Sequence, residues 1–314
     1  MLALAFLLDL FIGDPEYPLH PVRLMGQAIE RAEAFLRRMV AHEKIAGAIL
    51  ALSFPLLVFF LVWWFILFLG KVHPWLAWAA SLFGIYSAIS VHDLRKEGLQ
   101  ICKDLKQGNL INARQNLARI VGRDTDSLDE REILRAGVET IAESTLDGII
   151  APLFYAALGG APLALAYKGV NTLDSMVGHL NEKYRNFGFI AAKQDELWNW
   201  IPARLSYFAI MFATPFVKGR LKDACSVGWR QGVMGRSGNG ALPEAAFAGA
   251  LGLRLGGTNF YKGRAVDKPF LGFFQRNFDC EDLVKSLRLM IATAWIFLLG
   301  ILLFKYGMIY AVKF

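Results

Sequence analysis

Cysteine is scarce in this 314-residue chain: Cys102, Cys225 and Cys280 stand alone, with no C-x-x-C pair. That excludes a disulfide framework and a thiolate zinc site. Neither G-x-x-x-x-G-K-[ST] nor G-x-G-x-x-G occurs, which removes the P-loop and the dinucleotide fingerprint. No basic run is interleaved with aromatics, so a net charge of +7 does not signal nucleic acid. There is no internal repeat and no low-complexity tract. The N-terminus has no basic n-region and carries Asp9 inside its apolar run, so no cleaved signal peptide is expected. Charge is also thin, at 19% of residues against 55% hydrophobic, which excludes an ordinary soluble domain.

The apolar residues come in blocks. Residues 45–69 carry no charge and hold a Trp63-Trp64 pair; 74–91 and 289–310 are similar in kind. Each approaches the ~20 apolar residues that cross a bilayer. Weaker candidates are 1–12, 148–167 and 200–217. The expected fold is all-α, a polytopic integral membrane protein forming one domain over 1–314. Residues 92–147 hold nine Lys/Arg and 218–288 hold twelve, against one at the 70–73 tip. Both are therefore expected to be helical cytoplasmic segments. The 148–167 block is interrupted by Pro152, Gly159-Gly160 and Pro162, which predicts a broken or re-entrant helix. Residues 24–44 read as a basic amphipathic helix.

The most informative stretch is VGRDTDSLDEREILRAGVETIAESTLDG, Val121 to Gly148. Asp124, Thr125, Asp126 or Ser127 can cap a helix here. Steps of 100° put Glu132, Arg135, Glu139, Glu143 and Asp147 on one stripe, with Leu134, Val138, Ile141 and Thr145 opposite. An amphipathic solvated helix has such a pattern, yet Glu139 and Glu143 are like charges one turn apart. Mg²⁺ suits such sites, taking one or two carboxylates plus substrate phosphates.

Further polar groups sit beside the apolar blocks. Asp14, His20 and Arg23 lie in a proline-rich loop. Lys168, Asn171, Thr172, Ser175 and His179 share a helical stripe beside Asp174. Asp195, Glu196 and Asn199 precede Arg204. The loop Ser237-Gly238-Asn239-Gly240 opens on a helix starting near Pro243-Glu244, and such a loop can cradle phosphate. That helix is expected to end at Gly256-Gly257.

The motifs GDP…HPVRLMG, the run from Val121 to His179, YRNFG, DELWNWIPARL and GNGALPEAAFAGALGLRLGG occur in that order. Together they resemble the adenosylcobinamide-phosphate synthases of cobalamin biosynthesis over nearly the whole chain. Ser144, Glu196 and Gly238 depart from the family pattern, which usually has Asn, Asp and Pro. The resemblance implies an ATP-dependent acid–amine ligase in the cytoplasmic (inner) cell membrane, with its site facing the cytoplasm. It would join a carboxylate of adenosylcobyric acid to aminopropanol or its phosphate, with the lipid bilayer and other cobalamin-assembly enzymes as partners. A homo-oligomer is compatible with this. Mg²⁺ and ATP are the implied cofactor and co-substrate, with cobalt only in the corrinoid.

The implied catalytic residues are Glu139, Glu143, Lys168, Asn171 and Arg204. Arg123, Asp124, His20, Arg23, Ser175, Asn239 and Glu244 would bind substrate or phosphate. Glu143, Asp147, Asp174, Asp195, Glu196 and Asn199 would hold metal, all meeting at one cytosolic rim. His20 or His179 would take the amine proton. The alternatives are a membrane regulatory or scaffold protein of the same lineage without this activity, and another Mg-dependent membrane transferase. No second aspartate pair supports the latter.

Overall fold

The computed structural model describes residues 1–13, 17, 19–179, 181–235, 238–273 and 276–311. Asp14 and Ser237 therefore lie outside the described residues. Helices dominate: α1 (Leu2–Ile12), α2 (Pro21–Met39), α3 (Glu43–Val72), α4 (Pro74–Tyr86), α5 (Val91–Lys106), α6 (Leu110–Ala118) and α7 (Glu130–Thr145). A π-helical turn, Leu146–Ile150, leads into α8 (Ala151–Val177). Then come α9 (Phe189–Trp198), α10 (Trp200–Ala213), α11 (Leu221–Val227), α12 (Ala241–Leu251), strands β1 (Leu255–Tyr261) and β2 (Arg264–Leu271), and α13 (Cys280–Ala311). Among the described residues, four helical stretches are long and apolar enough to cross a membrane: Glu43–Val72, Pro74–Lys106, Glu130–Val177 and Cys280–Met308. This is an all-α polytopic membrane protein.

The chain forms two compact units, Met1–Ser90 with Asp147–Trp200, and Val91–Leu146 with Ile201–Phe314. In the first, α3 packs on α2, α4, α8 and α9. Ala46, Leu50, Phe54 and Val58 are its buried face, whereas Leu52, Leu56, Phe60 and Trp64 are exposed, as a lipid-facing side requires. Within α8, Gly159 and Gly160 leave helical geometry, Gly160 at φ 67°, so the helix is broken where the glycine pair and Pro162 predict. Gly47 lets α3 approach the 181–188 loop: a Cβ there would stand 1.8 Å from the Phe187 carbonyl oxygen. Gly47→Ala is therefore expected to cost about 1–3 kcal/mol, as overpacking does, seen as a lower unfolding midpoint in detergent.

In the second unit, α13 packs on α5 and α7, and α12 packs on α7 and α11. Asn109 caps α6, its side chain accepting from the Asn112 amide, and Gly108 at φ 71° separates α6 from α5. Two expectations need correction. The cap of α7 is Asp129, whose Oδ1 accepts from Glu132 N at 2.8 Å, and not Asp124 to Ser127. The helix after Gly240 ends at Leu251 with Gly252 in the left-handed region, and Gly256-Gly257 open an antiparallel hairpin. Its turn, Lys262-Gly263, has positive φ at both residues, the geometry that suits a two-residue hairpin.

Candidate functional site

Each unit assembles its own polar cluster. In the second unit, the hairpin covers the acidic stripe of α7. Glu139 is 4% exposed. Its Oε1 accepts from Arg135 Nη1 at 2.9 Å and from Gly256 N at 2.8 Å, and its Oε2 accepts from Arg123 Nη2. Both guanidiniums also donate to Asn259 Oδ1. Asp124 accepts from Lys262 N at 3.0 Å and Gly263 N at 2.7 Å, holding the hairpin turn. Glu139, Arg123 and Asp124, expected at the reaction centre, are thus turned toward one another and the hairpin. Their geometry is that of a clamp, with charge and hydrogen-bond capacity satisfied in place.

Other expected residues gather around the start of α12. Arg204 Nη1 donates to Asn239 Oδ1 at 3.3 Å. The Glu143 carboxylate lies against Gly240, where an added Cβ would stand 3.6 Å from Oε1. Glu143 is exposed, unlike Glu139 one turn earlier. Glu244, in the first turn of α12, is buried, with Lys268 Nζ at 3.9 Å. Burial pushes the Glu244 carboxyl up to about 8; Lys268 and Arg123 oppose this, and Glu143 and Glu139 add to it. At 3.9 Å the ammonium offsets desolvation without overcoming it.

The sign of the pH effect follows. An unfolded Glu244 ionises near 4.5 and the folded one near 8, so the folded state holds the extra proton between those values. Stability from this group is full below 4.5 and is lost as pH rises toward 8. Glu244→Gln should flatten the fall of the unfolding midpoint between pH 5 and 8, which thermal melts at half-unit steps would read.

In the first unit, the Tyr167 hydroxyl, fully buried, is shared between Asn199 Oδ1 at 2.9 Å and Asp147 Oδ1 at 3.3 Å. Asn199 Nδ2 in turn donates to Asp147 Oδ1 at 3.1 Å and Asp195 Oδ2 at 3.0 Å. The Lys168 ammonium interacts with both carboxylates. Tyr155 stacks on Tyr167 with ring centroids 5.1 Å apart, and its hydroxyl donates to Trp198 O at 2.7 Å. Asp147 lies in the π-helical turn, a local widening that recurs at functional sites.

Asp147, Lys168, Asp195 and Asn199 are therefore brought together. Tyr155 and Tyr167 were missed, though two phenols in an otherwise apolar run were the available signal. Glu196 is exposed and pairs with Lys193 at 2.7 Å. Asn171, Asp174 and Ser175 continue along α8, Ser175 donating back to Asn171 O. His20 is buried at the start of α2, Arg23 is exposed on its first turn, and His179 is exposed.

Among the described residues, no three His, Cys, Asp or Glu side chains form a ready metal group. Asp147 and Asp195, bracketed by one amide, suit Mg²⁺ arriving with phosphate better than a cage built from protein alone.

Helical, polytopic and membrane-embedded, with acid, amide and cation clusters in place of a nucleotide loop, the chain is of the class of integral membrane proteins that carry polar sites. The family model described as CobD/Cbib protein matches residues 2–290. The cobalamin biosynthesis protein CobD of Clostridium perfringens is 44% identical over 284 residues, 90% of each chain. That of Klebsiella pneumoniae is 42% identical over 289 residues, 91% of each. The cobalamin biosynthesis protein CbiB of Salmonella arizonae is 41% identical over 290 residues, again 91% of each. No solved structure matches. The chain belongs to the CobD/CbiB family and has a role in cobalamin biosynthesis.

Proposed function

We propose that the chain is a membrane-bound synthase that joins the adenosylcobyric acid carboxylate to aminopropanol, or aminopropanol phosphate, as an amide. The observation that carries this is the family match over residues 2–290, which takes in every residue expected at the site. A carboxylate does not form an amide unaided, because oxide is too poor a leaving group. ATP resolves this: a carboxylate oxygen attacks the γ-phosphorus and ADP leaves. The amine nitrogen then attacks the acyl carbon, the C–O bond to phosphate breaks, and the ammonium proton is released. The phosphate carries away one former carboxylate oxygen.

Phosphoryl transfer asks a protein mainly for positioning and charge stabilisation. Arg204, Asn239 and the backbone at Gly240 supply donors for phosphate oxygens, with Glu143 alongside. In the first unit Asp147, Asp195 and Asn199 would hold Mg²⁺, which when bound offsets phosphate charge, with Asp174 and Glu196 as further proposed ligands; in the second unit Glu143 is a proposed ligand of its own. In this reading Tyr167 fixes the orientation of Asn199 and Asp147, and Lys168 balances their charge.

Incubating purified protein with adenosylcobyric acid, ATP, Mg²⁺ and either amine should give a product heavier by the amine less one water. Omitting ATP should stop it. Amide formed equally without nucleotide would remove the activation step, and no amide under any condition would leave the alternative, a membrane regulatory or scaffold protein related to the family but without this activity.

A further inference from the structure

The second unit carries an open groove of about 610 Å³ that the proposed chemistry does not use. Its walls include the rings of Tyr207 and Trp229, centroids 6.5 Å apart, and the cations of Lys222 and Arg230. The groove is built rather than incidental. Tyr207 donates to Cys225 O at 3.0 Å, and Gly228 is needed beneath it, since a Cβ there would meet the ring at 2.5 Å. Lys222 and Arg230 are both exposed, and neither is paired with a carboxylate among the described residues. Aromatic rings beside unpaired cations suit a ligand with a phosphate head and an apolar body.

Two neighbouring features identify that ligand. On α10, Phe208 and Phe212 are exposed one turn apart, and Phe216 follows in the 3₁₀ turn Thr214–Val217. An aromatic stripe left uncovered on a 14-residue helix is costly in water and favourable at a bilayer interface. The same 3₁₀ turn packs on α13, one of the candidate membrane spans. The chain between α10 and the π-helical turn Gly228–Val233 adds Lys218 and Arg220, with Asp223 its one acid.

We propose that this groove holds the headgroup of an anionic phospholipid, with Lys222 and Arg230 on its phosphate and the α10 phenylalanines against its acyl chains. The site is independent of the synthase reading and would stand if that reading failed.

Native mass spectrometry of the full-length protein in detergent, titrated with phosphatidylglycerol or phosphatidylcholine, tests it. Wild-type protein is expected to retain phosphatidylglycerol preferentially. Each cation near a headgroup contributes about fivefold, so the Lys222→Gln, Arg230→Gln double variant should lose roughly 25-fold in that affinity. Lys71→Gln, at the other unit's helical tip, should bind as wild type does. Since both replaced groups are exposed, gel-filtration profiles should match. As a reading that needs no variant, the wild-type preference should shrink between 0.1 and 0.5 M salt. Equal retention of the two lipids, an unchanged double variant, or displacement of the lipid by millimolar inorganic phosphate would each overturn the proposal.

Discussion

Glu143→Gln is expected to abolish amide synthesis while the protein still inserts, folds and elutes as wild type. Glu143 is exposed beside Gly240 at the start of α12, and its carboxylate makes no hydrogen bond to the described residues. Removing the charge therefore leaves no buried partner stranded, and the stability cost should stay within ~0.5 kcal/mol. The catalytic cost should be large, at least about a hundredfold in kcat/KM, the scale at which charge-positioning groups act. Steady-state assays at saturating Mg²⁺ would read it, and wild-type turnover would remove α7 from the reaction centre.

Glu139→Ala should do the reverse. Its carboxylate is held by two guanidiniums and a backbone amide, with side chains 5–7% exposed. Removing it leaves Arg123 buried without the carboxylate it pairs with and Arg135 with only the partly exposed Glu132, and breaking such a buried pair costs about 3–5 kcal/mol. At roughly 2–4 °C per kcal/mol, the unfolding midpoint should fall by about 10 °C. The Gly256 amide loses its acceptor as well, so the hairpin base should exchange its amide hydrogens faster. Arg123→Ala should give a smaller fall of the same kind. If Glu139→Ala melted as wild type does and lost only turnover, Glu139 would return to the catalytic set.

The contrast between these two glutamates shows what could be read from the chain beforehand. Their helical spacing was legible, and so were the three strongest apolar blocks and the glycine break in α8. What the spacing could not say is which part of the acidic stripe is covered. That depends on β1 and β2, and the hairpin was hidden for a physical reason. Gly256 and Gly257 follow a small-residue apolar helix, where glycine ordinarily marks a C-cap, and the Lys262-Gly263 turn lacks the usual Asn or Asp. Reading the hairpin as helix end left Arg123 and Asp124 looking available for phosphate, when the fold directs them to Asn259 and to the hairpin turn.

The structure brings Asp147, Asp195 and Asn199 together in one unit, and Glu143, Asn239 and Glu244 to the start of α12 in the other. The π-helical turn at Leu146–Ile150 has no signature in residue types, so spacing alone could not anticipate it. Tyr167 was overlooked because a phenol in an apolar run resembles a lipid-facing aromatic until its partner Asn199, 32 residues on, is brought beside it.

The most direct test follows oxygen. With adenosylcobyric acid labelled with ¹⁸O at the reacting carboxylate, one labelled oxygen should appear in inorganic phosphate for each amide formed, and the other should stay in the product carbonyl. The departing label recovered in water, with phosphate carrying none, would contradict activation of the carboxylate by ATP.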